Sequence, residues 1–331
     1  MRLSLIESAK TDPYHNLALE RYLLENVGDD EVILYLWQNE NTVVIGRNQS
    51  ALSECRIQEL NKAGGHLARR LSGGGAVYHD LGNLNFTILA PDSLYDEKKQ
   101  TCVILKAVDL LGIDAERTGR NDLIADGKKF SGHAYYHTNG KNYHHGTLLV
   151  NVDIAKMGKY LNPSPIKLAS KGVASVKSRV CNLVDFVPNL DIAHVKDAMK
   201  EAFSETYGGE LTQLVLGEDA QSIVNDYKEE LGGNAWLLKD EHPLQNSSEM
   251  RFNWGCVRVD FDEKDGILTE VALYSDGLDA DFLNAIPATL RGCKKNTQDI
   301  KDALKSLAES QAHMSDSILE ITNDIASLLT Q

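Results

Sequence analysis

A basic, glycine-rich segment at residues 69–87 contains the side chains of this sequence that are best suited to bind an anion. Arg69 and Arg70 are adjacent, and the planar guanidinium group can form paired hydrogen bonds with a phosphate or a carboxylate. Three consecutive glycines follow at positions 73–75, so the backbone lacks Cβ atoms there and its N–H groups can approach anionic oxygens. The combination predicts a ligand-binding loop rather than an ordinary turn.

A second cationic candidate is Lys129, which follows the hairpin-type dipeptide Asp126-Gly127 near the start of a predicted strand. It enters a partly apolar, glycine-containing segment, so we expect its ammonium group to be partly buried and to face a ligand. The neighbouring Lys128 should point to the opposite face of the strand. With Arg70 and the glycine amides, Lys129 would bring two anions together, as activation of a carboxylate by a nucleotide requires.

The segment RRLSGGGAVYHDLGNLNFT resembles the lipoate-binding motif of the lipoate–protein ligases. Nearly the whole chain resembles this family, and the further blocks follow in the family's order. They are YHNLALE (14–20), TVVIGRN (42–48), GRNDL (119–123), KKFSGHA (128–134), HHGTLLVN (144–151) and KGVASVKSRVCNL (171–183).

The resemblance implies a single site for lipoate and ATP. Lys129 falls on the lysine that is expected to contact both the lipoyl carboxylate and the α-phosphate. Asn121 and Asp122 would lie near the adenylate, with Asp122 as a Mg²⁺ ligand, since one carboxylate plus substrate phosphates is typical ligation of that ion. The other substrate- and ATP-binding residues that we expect are Arg70, Ser72, Gly73, Gly74, Gly75, Ala76, Val77, Tyr78, His79, Asn83, His145, Thr147 and Lys171.

The activity implied by the resemblance has two steps. Lipoate is first activated with ATP to lipoyl-AMP, and the lipoyl group then passes to a lysine of an acceptor protein. The acceptor would be a glycine-cleavage H protein or the lipoyl domain of a 2-oxoacid dehydrogenase, in a pathway of lipoate salvage. No protein nucleophile is needed for this chemistry.

Three alternatives remain open at this point. An octanoyl- or lipoyltransferase of the same fold would work through a cysteine close to residues 119–129, where this sequence has none. A biotin–protein ligase would carry a GRGRxGR-type loop, which is absent. A non-catalytic lipoyl-binding protein would not need Lys129 or the basic residues further along the chain.

Composition limits the class of partner. The 331 residues carry a net charge of −14, which disfavours binding to nucleic acid or to an anionic membrane. We see no signal peptide and no apolar segment of membrane-spanning length. The five scattered cysteines include no C-x-x-C pair, so we expect free thiols, a reducing cytoplasm and no disulfide framework. We further expect a monomer.

Strand patterns dominate the first 150 residues and are joined by hairpin-like turns, including one between residues 32–37 and 42–45. We therefore expect an α/β (α+β) fold with a mixed, largely antiparallel sheet and flanking helices. The resemblance implies the fold of biotin and lipoate ligases, which is related to class II aminoacyl-tRNA synthetase catalytic domains. A helix is predicted at residues 54–63, and His144 and His145 should face opposite sides of a strand rather than share a metal.

The chain is predicted to contain two domains. Residues 1–240 would form the catalytic domain, and residues 250–331 a small α+β accessory domain with two strands and three helices. The glycine-, proline- and serine-containing stretch at residues 232–249 is the expected linker. Residues 156–179 form a predicted loop with six basic residues and no acidic one, which we expect to close over the adenylate.

Overall fold

The structure, a computed structural model, describes residues 1–119, 121–162, 180–239, 241, 243–310 and 317–330. The strands of these residues are β1 (Arg2–Glu7), β2 (Glu31–Trp37), β3 (Thr42–Ile45), β4 (His66–Arg69), β5 (Val77–His79), β6 (Asn83–Pro91), β7 (Glu116–Thr118), β8 (Asp122–Ala125), β9 (Lys128–Thr138), β10 (Lys141–Leu149), β11 (Leu211–Gln213), β12 (Asn246–Phe252), β13 (Gly255–Lys264) and β14 (Ile267–Ser275).

The α-helices of the described residues flank three sheets. They are α1 (Pro13–Asn26), α2 (Ala51–Glu54), α3 (Ile57–Lys62), α4 (Glu97–Leu110), α5 (Ile154–Tyr160), α6 (Ile192–Tyr207), α7 (Glu218–Gly232), α8 (Asn234–Leu238), α9 (Ala280–Leu290), α10 (Thr297–Glu309) and α11 (Ser317–Thr330), with a 3₁₀ turn at Leu183–Asp185.

The large sheet has the strand order β11-β1-β2-β6-β10-β9-β8-β7. Strand β1 runs parallel to β2 and β11, whereas the other neighbouring pairs in this sheet are antiparallel. One face is covered by α4 and α6, and the other by α1 and α7. The expectation of a mixed, largely antiparallel sheet with flanking helices is therefore confirmed.

The predicted hairpin between β2 and β3 is wrong. Both edges of β2 are occupied, by β1 and β6, so β3 joins a second sheet with β4 and β5 instead. The polar turn at residues 38–41 carries the chain between the two sheets. The buried Asn16 side-chain amide fixes this turn by donating to the Gln38 carbonyl at 2.8 Å and to Asn39 Oδ1 at 3.0 Å.

The helix predicted at residues 54–63 is shorter in the structure and corresponds to α3, because Glu54 ends the preceding helix α2 and residues 55–56 separate the two. Cys55 makes a β-bridge with Leu161, and the Arg56 N–H donates to the Tyr160 carbonyl at 2.9 Å. These contacts with a distant segment hold the backbone extended between the helices. Helix propensity alone could not reveal this break, because the partner lies about a hundred residues away.

The hairpin between β8 and β9 confirms the turn predicted at Asp126-Gly127. Both residues have positive φ values, 49° and 69°, as the favoured two-residue hairpin turns require. A register shift follows, because Ile124 pairs with Lys129 while Leu123 pairs with Ser131. Phe130 is thus the extra residue of a bulge, and its ring is fully buried in the core under the large sheet.

The C-terminal sheet contains β12, β13 and β14, one strand more than the sequence predicted. Strand β12 begins within the expected linker at residues 232–249, and so does helix α8, so that stretch is partly regular. Helices α9–α11 pack on this sheet around an apolar core separate from those of the large sheet. That core includes Val257, Phe282 and Ile325, each almost fully buried.

Candidate active site

A cavity of about 260 Å³ lies beside the loop of residues 70–76, here called the glycine loop, which connects β4 to β5. Strands β8–β10 and the C-terminal sheet supply other parts of its wall. The structure brings twelve of the expected site residues to this cavity. They are Arg70, Gly74, Gly75, Ala76, Val77, Tyr78, His79, Asn121, Asp122, Lys129, His145 and Thr147.

Three expected site residues do not line the cavity. Ser72 of the glycine loop is fully buried, and Gly73 lies against the Gly277 carbonyl of the C-terminal part. Asn83 is buried as well and donates to Asn85 Oδ1 at 2.9 Å. Lys171, like most of the basic segment at 156–179, lies outside the described residues. The loop predicted for this segment is wrong at its start, because α5 extends to Tyr160.

Several cavity residues were not predicted from the sequence. Some are apolar or small residues within the recognised blocks, whose role depends on which neighbours the fold brings together. Others come from the C-terminal part, where no motif pointed to them. The missed residues include Leu17, Trp37, Val44, Asn85, Gly132, His133, Ala134, Arg251, Asp276 and Leu278.

Lys129 and Asp122 form an ion pair on the cavity wall, with 2.6 Å between Nζ and Oδ1. Both side chains are about one quarter exposed, at 27% and 22%. A Cβ at Gly132 would lie 2.6 Å from the Lys129 ammonium, so a side chain at this position would displace Lys129 from its present place. The pair places a cation and an oxygen donor side by side, so that a phosphate could bind to the ammonium and a hard metal ion to the carboxylate.

Asn121 is held by β9 through two hydrogen bonds to His133. Its Nδ2 donates to the His133 carbonyl at 2.7 Å, and its own carbonyl accepts from the His133 N–H at 2.8 Å. This residue therefore fixes the backbone that leads into Asp122.

The Arg70 guanidinium is buried and donates most of its hydrogen bonds to other residues of the glycine loop. Nη2 donates to the carbonyls of Gly73 at 2.7 Å and Gly75 at 2.8 Å, and Nε donates to Ser72 Oγ at 3.1 Å. Burial lowers the pKa of Arg70 to about 10, so the side chain stays cationic at neutral pH. Its main contribution is to fold the loop, while its charge still faces the cavity.

Arg69 does not face the ligand side, contrary to the expectation from the adjacent pair. Its fully buried guanidinium donates to the carbonyls of Gln49 at 2.6 Å and Leu237 at 2.7 Å. Successive side chains of a strand point to opposite faces, so only one of two adjacent arginines can point into the cavity. Arg69 joins the residues after β3 to helix α8.

The three glycines have three different surroundings. A Cβ at Gly73 would lie 2.1 Å from the Gly277 carbonyl oxygen, so this position allows the C-terminal part to approach. Gly74 has φ of +90°, and its N–H donates to the same carbonyl at 3.3 Å. Only Gly75 has open space where a Cβ would stand, on the cavity side. Ligand access to bare backbone is therefore concentrated at Gly75.

A buried hydrogen-bond network supports the glycine loop from below. His145 bonds through Nε2 to Ser72 Oγ and through Nδ1 to Glu20 Oε1, each at 2.8 Å. Glu20 also accepts from Thr87 Oγ1 at 2.7 Å, and Thr87 accepts from Trp37 Nε1 at 3.0 Å. The order Ser–His–Glu resembles a nucleophilic triad, but Ser72 is fully buried and cannot meet a substrate.

Buried histidines near the cavity are held neutral. Burial lowers the pKa of His79 to about 3, and the charge of Arg70 acts in the same direction. Burial likewise lowers the pKa of His133 to about 3 and that of His144 well below its usual value. Within the part of the chain that the structure describes, no three His, Cys, Asp or Glu side chains are grouped to hold a metal ion.

Comparisons with known proteins agree with this geometry. Residues 12–204 match the model of the lipoyl protein ligase A/B catalytic domain, and residues 243–325 match that of the bacterial lipoate protein ligase C-terminus. A lipoate-protein ligase A from Psychrobacter cryohalolentis is 38% identical, over 97% of each chain. This chain belongs to the lipoyl protein ligase A/B family.

Solved structures of family members have the same fold. P. falciparum LipL1 in complex with lipoate aligns with a TM-score of 0.83 at 25% identity, over 99% of each chain. A lipoate-protein ligase A bound with ATP aligns with a TM-score of 0.63 at 28% identity, over 72% of this chain and 98% of that one. An archaeal ligase from Thermoplasma acidophilum, described with its E2 lipoyl domain, aligns with a TM-score of 0.64 at 27% identity, over 74% and 98%.

Cys181 bears on the cysteine-dependent transferases of this fold. Although 52 positions separate it from Lys129 in the sequence, its N–H donates to the Lys129 carbonyl at 3.0 Å. The thiol is buried, does not line the cavity and has its pKa raised to about 11 by burial. A thiol of this kind is a poor nucleophile, so Cys181 does not favour thioester chemistry.

None of the helices described here could span a lipid bilayer.

The neutral histidines predict a loss of stability in acid. The folded state binds fewer protons than the unfolded state between the unperturbed histidine pKa near 6.5 and the lowered value near 3. The free energy of unfolding should therefore fall as the pH drops through this window. His79→Gln should make that dependence shallower by up to about 1.4 kcal/mol per pH unit.

The measurement is urea unfolding at several pH values between 6.5 and 3. The control is His66→Gln, because His66 is exposed and forms no ion pair with the described residues, and it should reproduce the wild-type dependence. Equal slopes for the wild type and His79→Gln would show that His79 does not contribute.

Proposed function

We propose that this chain is an ATP-dependent lipoate–protein ligase that forms lipoyl-AMP and transfers the lipoyl group to a lysine of an acceptor protein. The observation that carries the proposal is the position of Lys129 on a cavity that the glycine loop also borders. Apolar side chains such as Leu17, Trp37 and Val44 contribute to the same wall. The cavity thus offers apolar surface for an acyl chain and a cation for its carboxylate. The family and its lipoate- and ATP-bound members support this substrate pair.

In the first step, a lipoate carboxylate oxygen attacks the α-phosphorus of ATP, and the electrons of the broken P–O bond leave with pyrophosphate. The two reactants are both anionic and repel each other. The Lys129 ammonium would offset this repulsion by preorganised electrostatic stabilisation. The backbone at Gly75 would leave room for the reacting groups.

In the second step, the neutral amine of the acceptor lysine attacks the acyl carbonyl, and AMP leaves with the electrons of the acyl–phosphate bond. Negative charge develops on the carbonyl oxygen, where Lys129 would stabilise it. The free energy stored in the adenylate drives amide formation, so no thioester intermediate is needed.

We further propose that Mg²⁺ accompanies ATP. The Asp122 carboxylate lies on the cavity wall, partly exposed, and oxygen donors suit this cation. One protein carboxylate with substrate phosphates is an ordinary Mg²⁺ environment, and the ion would neutralise phosphate charge. Isothermal titration of ATP with and without Mg²⁺ should show weaker Mg²⁺ dependence in Asp122→Asn; unchanged dependence would contradict the assignment.

The acceptor is proposed to be a glycine-cleavage H protein or a 2-oxoacid dehydrogenase lipoyl domain. The archaeal relative was described together with its E2 lipoyl domain, which supports this class of partner. We also propose that the protein is a monomer, and the free cysteines favour a reducing cytoplasm as its compartment.

One assay tests the function as a whole. The protein is incubated with ATP, Mg²⁺, lipoate and each apo acceptor, and the acceptors are weighed by mass spectrometry. We expect ATP-dependent addition of one lipoyl group and equimolar AMP. Modification from an acyl-carrier donor without ATP would favour the transferase alternative, and lipoate binding without AMP would favour the non-catalytic one.

We also propose the domain division expected from the sequence, with a catalytic domain at 1–240, a linker at 232–249 and an accessory domain at 250–331. The separate C-terminal core and the C-terminal family match at residues 243–325 support it. A protease site inserted at the exposed Pro243 should yield two compact fragments. Unfolding of both fragments on cleavage would contradict the division.

The open space at Gly75 predicts a selective binding defect. Gly75→Val should weaken lipoate binding at least about tenfold without lowering the melting temperature, because the new side chain meets only the cavity. Gly217→Val is the control, since it also adds a side chain in open space but away from the cavity. Gly74→Val is unsuitable, because φ of +90° and Arg70 Nη2 at 2.8 Å would strain the fold.

Lipoate binding is measured by calorimetry beside a thermal melt of each variant. Wild-type affinity in Gly75→Val would show that the ligand does not lie against this backbone.

Lys129 is predicted to act in both steps. Lys129→Ala should lower adenylation by about 10²–10³-fold and transfer by a smaller factor, because one stabilising donor is lost. Lys129→Arg should also be impaired, since a planar guanidinium does not replace a compact ammonium. Lys128→Ala is the matched control, because its side chain is exposed and lies outside the cavity wall.

Lipoate-dependent pyrophosphate exchange measures the first step, and transfer from pre-made lipoyl-adenylate measures the second. The assignment fails if Lys128→Ala is the damaging change, or if Lys129→Ala keeps exchange within a few-fold of the wild type.

A further inference from the structure

The C-terminal part of the chain supplies some of the wall of the catalytic cavity. Arg251 of β12 lines it, together with Asp276 and Leu278 from the segment after β14. We propose that Arg251 is a further catalytic residue, which binds the departing pyrophosphate during formation of the adenylate. The inference rests on the ligase function proposed above.

The pairing of β12 directs Arg251 away from the C-terminal core and towards the catalytic part of the chain. Met250 packs on the C-terminal core and is paired with the buried Val257. Since side chains alternate along a strand, Arg251 points to the opposite face, where its partner is Cys256. On that face Arg258 also reaches across and donates to Ser53 Oγ at 3.0 Å. This face of the C-terminal sheet therefore contacts the catalytic part of the chain.

The Arg251 guanidinium forms no ion pair and no hydrogen bond with the residues that the structure describes, although the side chain is only partly exposed. The Glu54 carboxylate lines the same cavity. Other arginines near the same junction are paired, Arg47 with Asp281 at 2.7 Å and Arg258 with Asp260 at 3.3 Å. The wall does contain the Asp276 carboxylate, which accepts from the Cys256 N–H at 2.7 Å. A guanidinium facing a cavity with its donors unused is suited to a multiply charged anion.

The other lysine and arginine on the described cavity wall already have protein partners. Lys129 pairs with Asp122, and most donors of Arg70 are taken by the glycine loop. ATP brings several negative charges, and the charge on its β- and γ-phosphates grows as the bond to the α-phosphorus breaks. Among the described cations of the cavity wall, Arg251 is the one whose hydrogen-bond donors are still available to the β- and γ-phosphates. Its planar guanidinium can form paired hydrogen bonds with phosphate oxygens.

This role is confined to the first step. Pyrophosphate leaves when lipoyl-AMP forms, and it takes no part when the acceptor amine displaces AMP. Loss of Arg251 should therefore slow adenylation and leave transfer unchanged, whereas loss of Lys129 should affect both steps. The two cations thus give different kinetic signatures.

The experiment compares Arg251→Ala, Arg251→Lys and the control Arg291→Ala in the full-length protein. Arg291 belongs to the same part of the chain and forms an exposed ion pair with Glu270 at 2.7 Å, away from the cavity. Lipoate-dependent pyrophosphate exchange and transfer from pre-made lipoyl-adenylate are measured for each variant. Arg251→Ala should lower exchange about 10²-fold and keep transfer within about twofold. Arg251→Lys should recover part of the exchange, and added guanidinium ion should partly rescue Arg251→Ala.

Exchange within about threefold of the wild type in Arg251→Ala would overturn the proposal, because loss of a donor that stabilises the transition state should cost far more than that. An equal loss of both half-reactions, without rescue by guanidinium, would also overturn it, because that pattern indicates disturbed packing. If the wild type and Arg291→Ala show no exchange either, the ligase function itself fails. If the wild type, Arg291→Ala and Arg251→Ala all show normal exchange, only the role of Arg251 is refuted and the ligase function stands.

Discussion

Two adjacent buried guanidinium groups determine the shape of the site. Arg69 and Arg70 leave the end of β4 in opposite directions, and each donates to several backbone carbonyls. Burying a cation is costly unless its donors are satisfied, and these carbonyls satisfy them. Arg70 thereby fixes the conformation of the glycine loop, and Arg69 joins the residues after β3 to helix α8. The hydrogen bonds of Arg70 thus fix the conformation of one wall of the cavity.

The remaining support for the loop comes from the large sheet. The chain from Ser72 through His145 and Glu20 to Thr87 joins the loop to β10, α1 and β6. All of these side chains are buried, so each lost partner would leave another polar atom unsatisfied, at about 1–3 kcal/mol. The network therefore fixes the glycine loop relative to β10, the strand that pairs with the Lys129-bearing β9.

The glycine loop is also where the two parts of the chain meet. The Gly277 carbonyl lies where a side chain at position 73 would be, and it accepts from the Gly74 N–H. One loop thus borders the cavity on one side and contacts the C-terminal part on the other.

The sequence by itself determined the fold class, the family and twelve of the residues that line the cavity, because the types and spacing of the glycines, the adjacent arginines and the lysine after a tight turn indicate anion binding without knowledge of the fold. It also determined the Asp126-Gly127 turn, whose backbone angles depend on those residues alone. Only the tertiary structure decided that Arg69 points away from the cavity to bind distant carbonyls, that β2 and β3 belong to different sheets, and that Arg251 reaches the site. These outcomes depend on strand pairing between segments far apart in the chain, and local propensity contains no information about which distant edge a strand will meet.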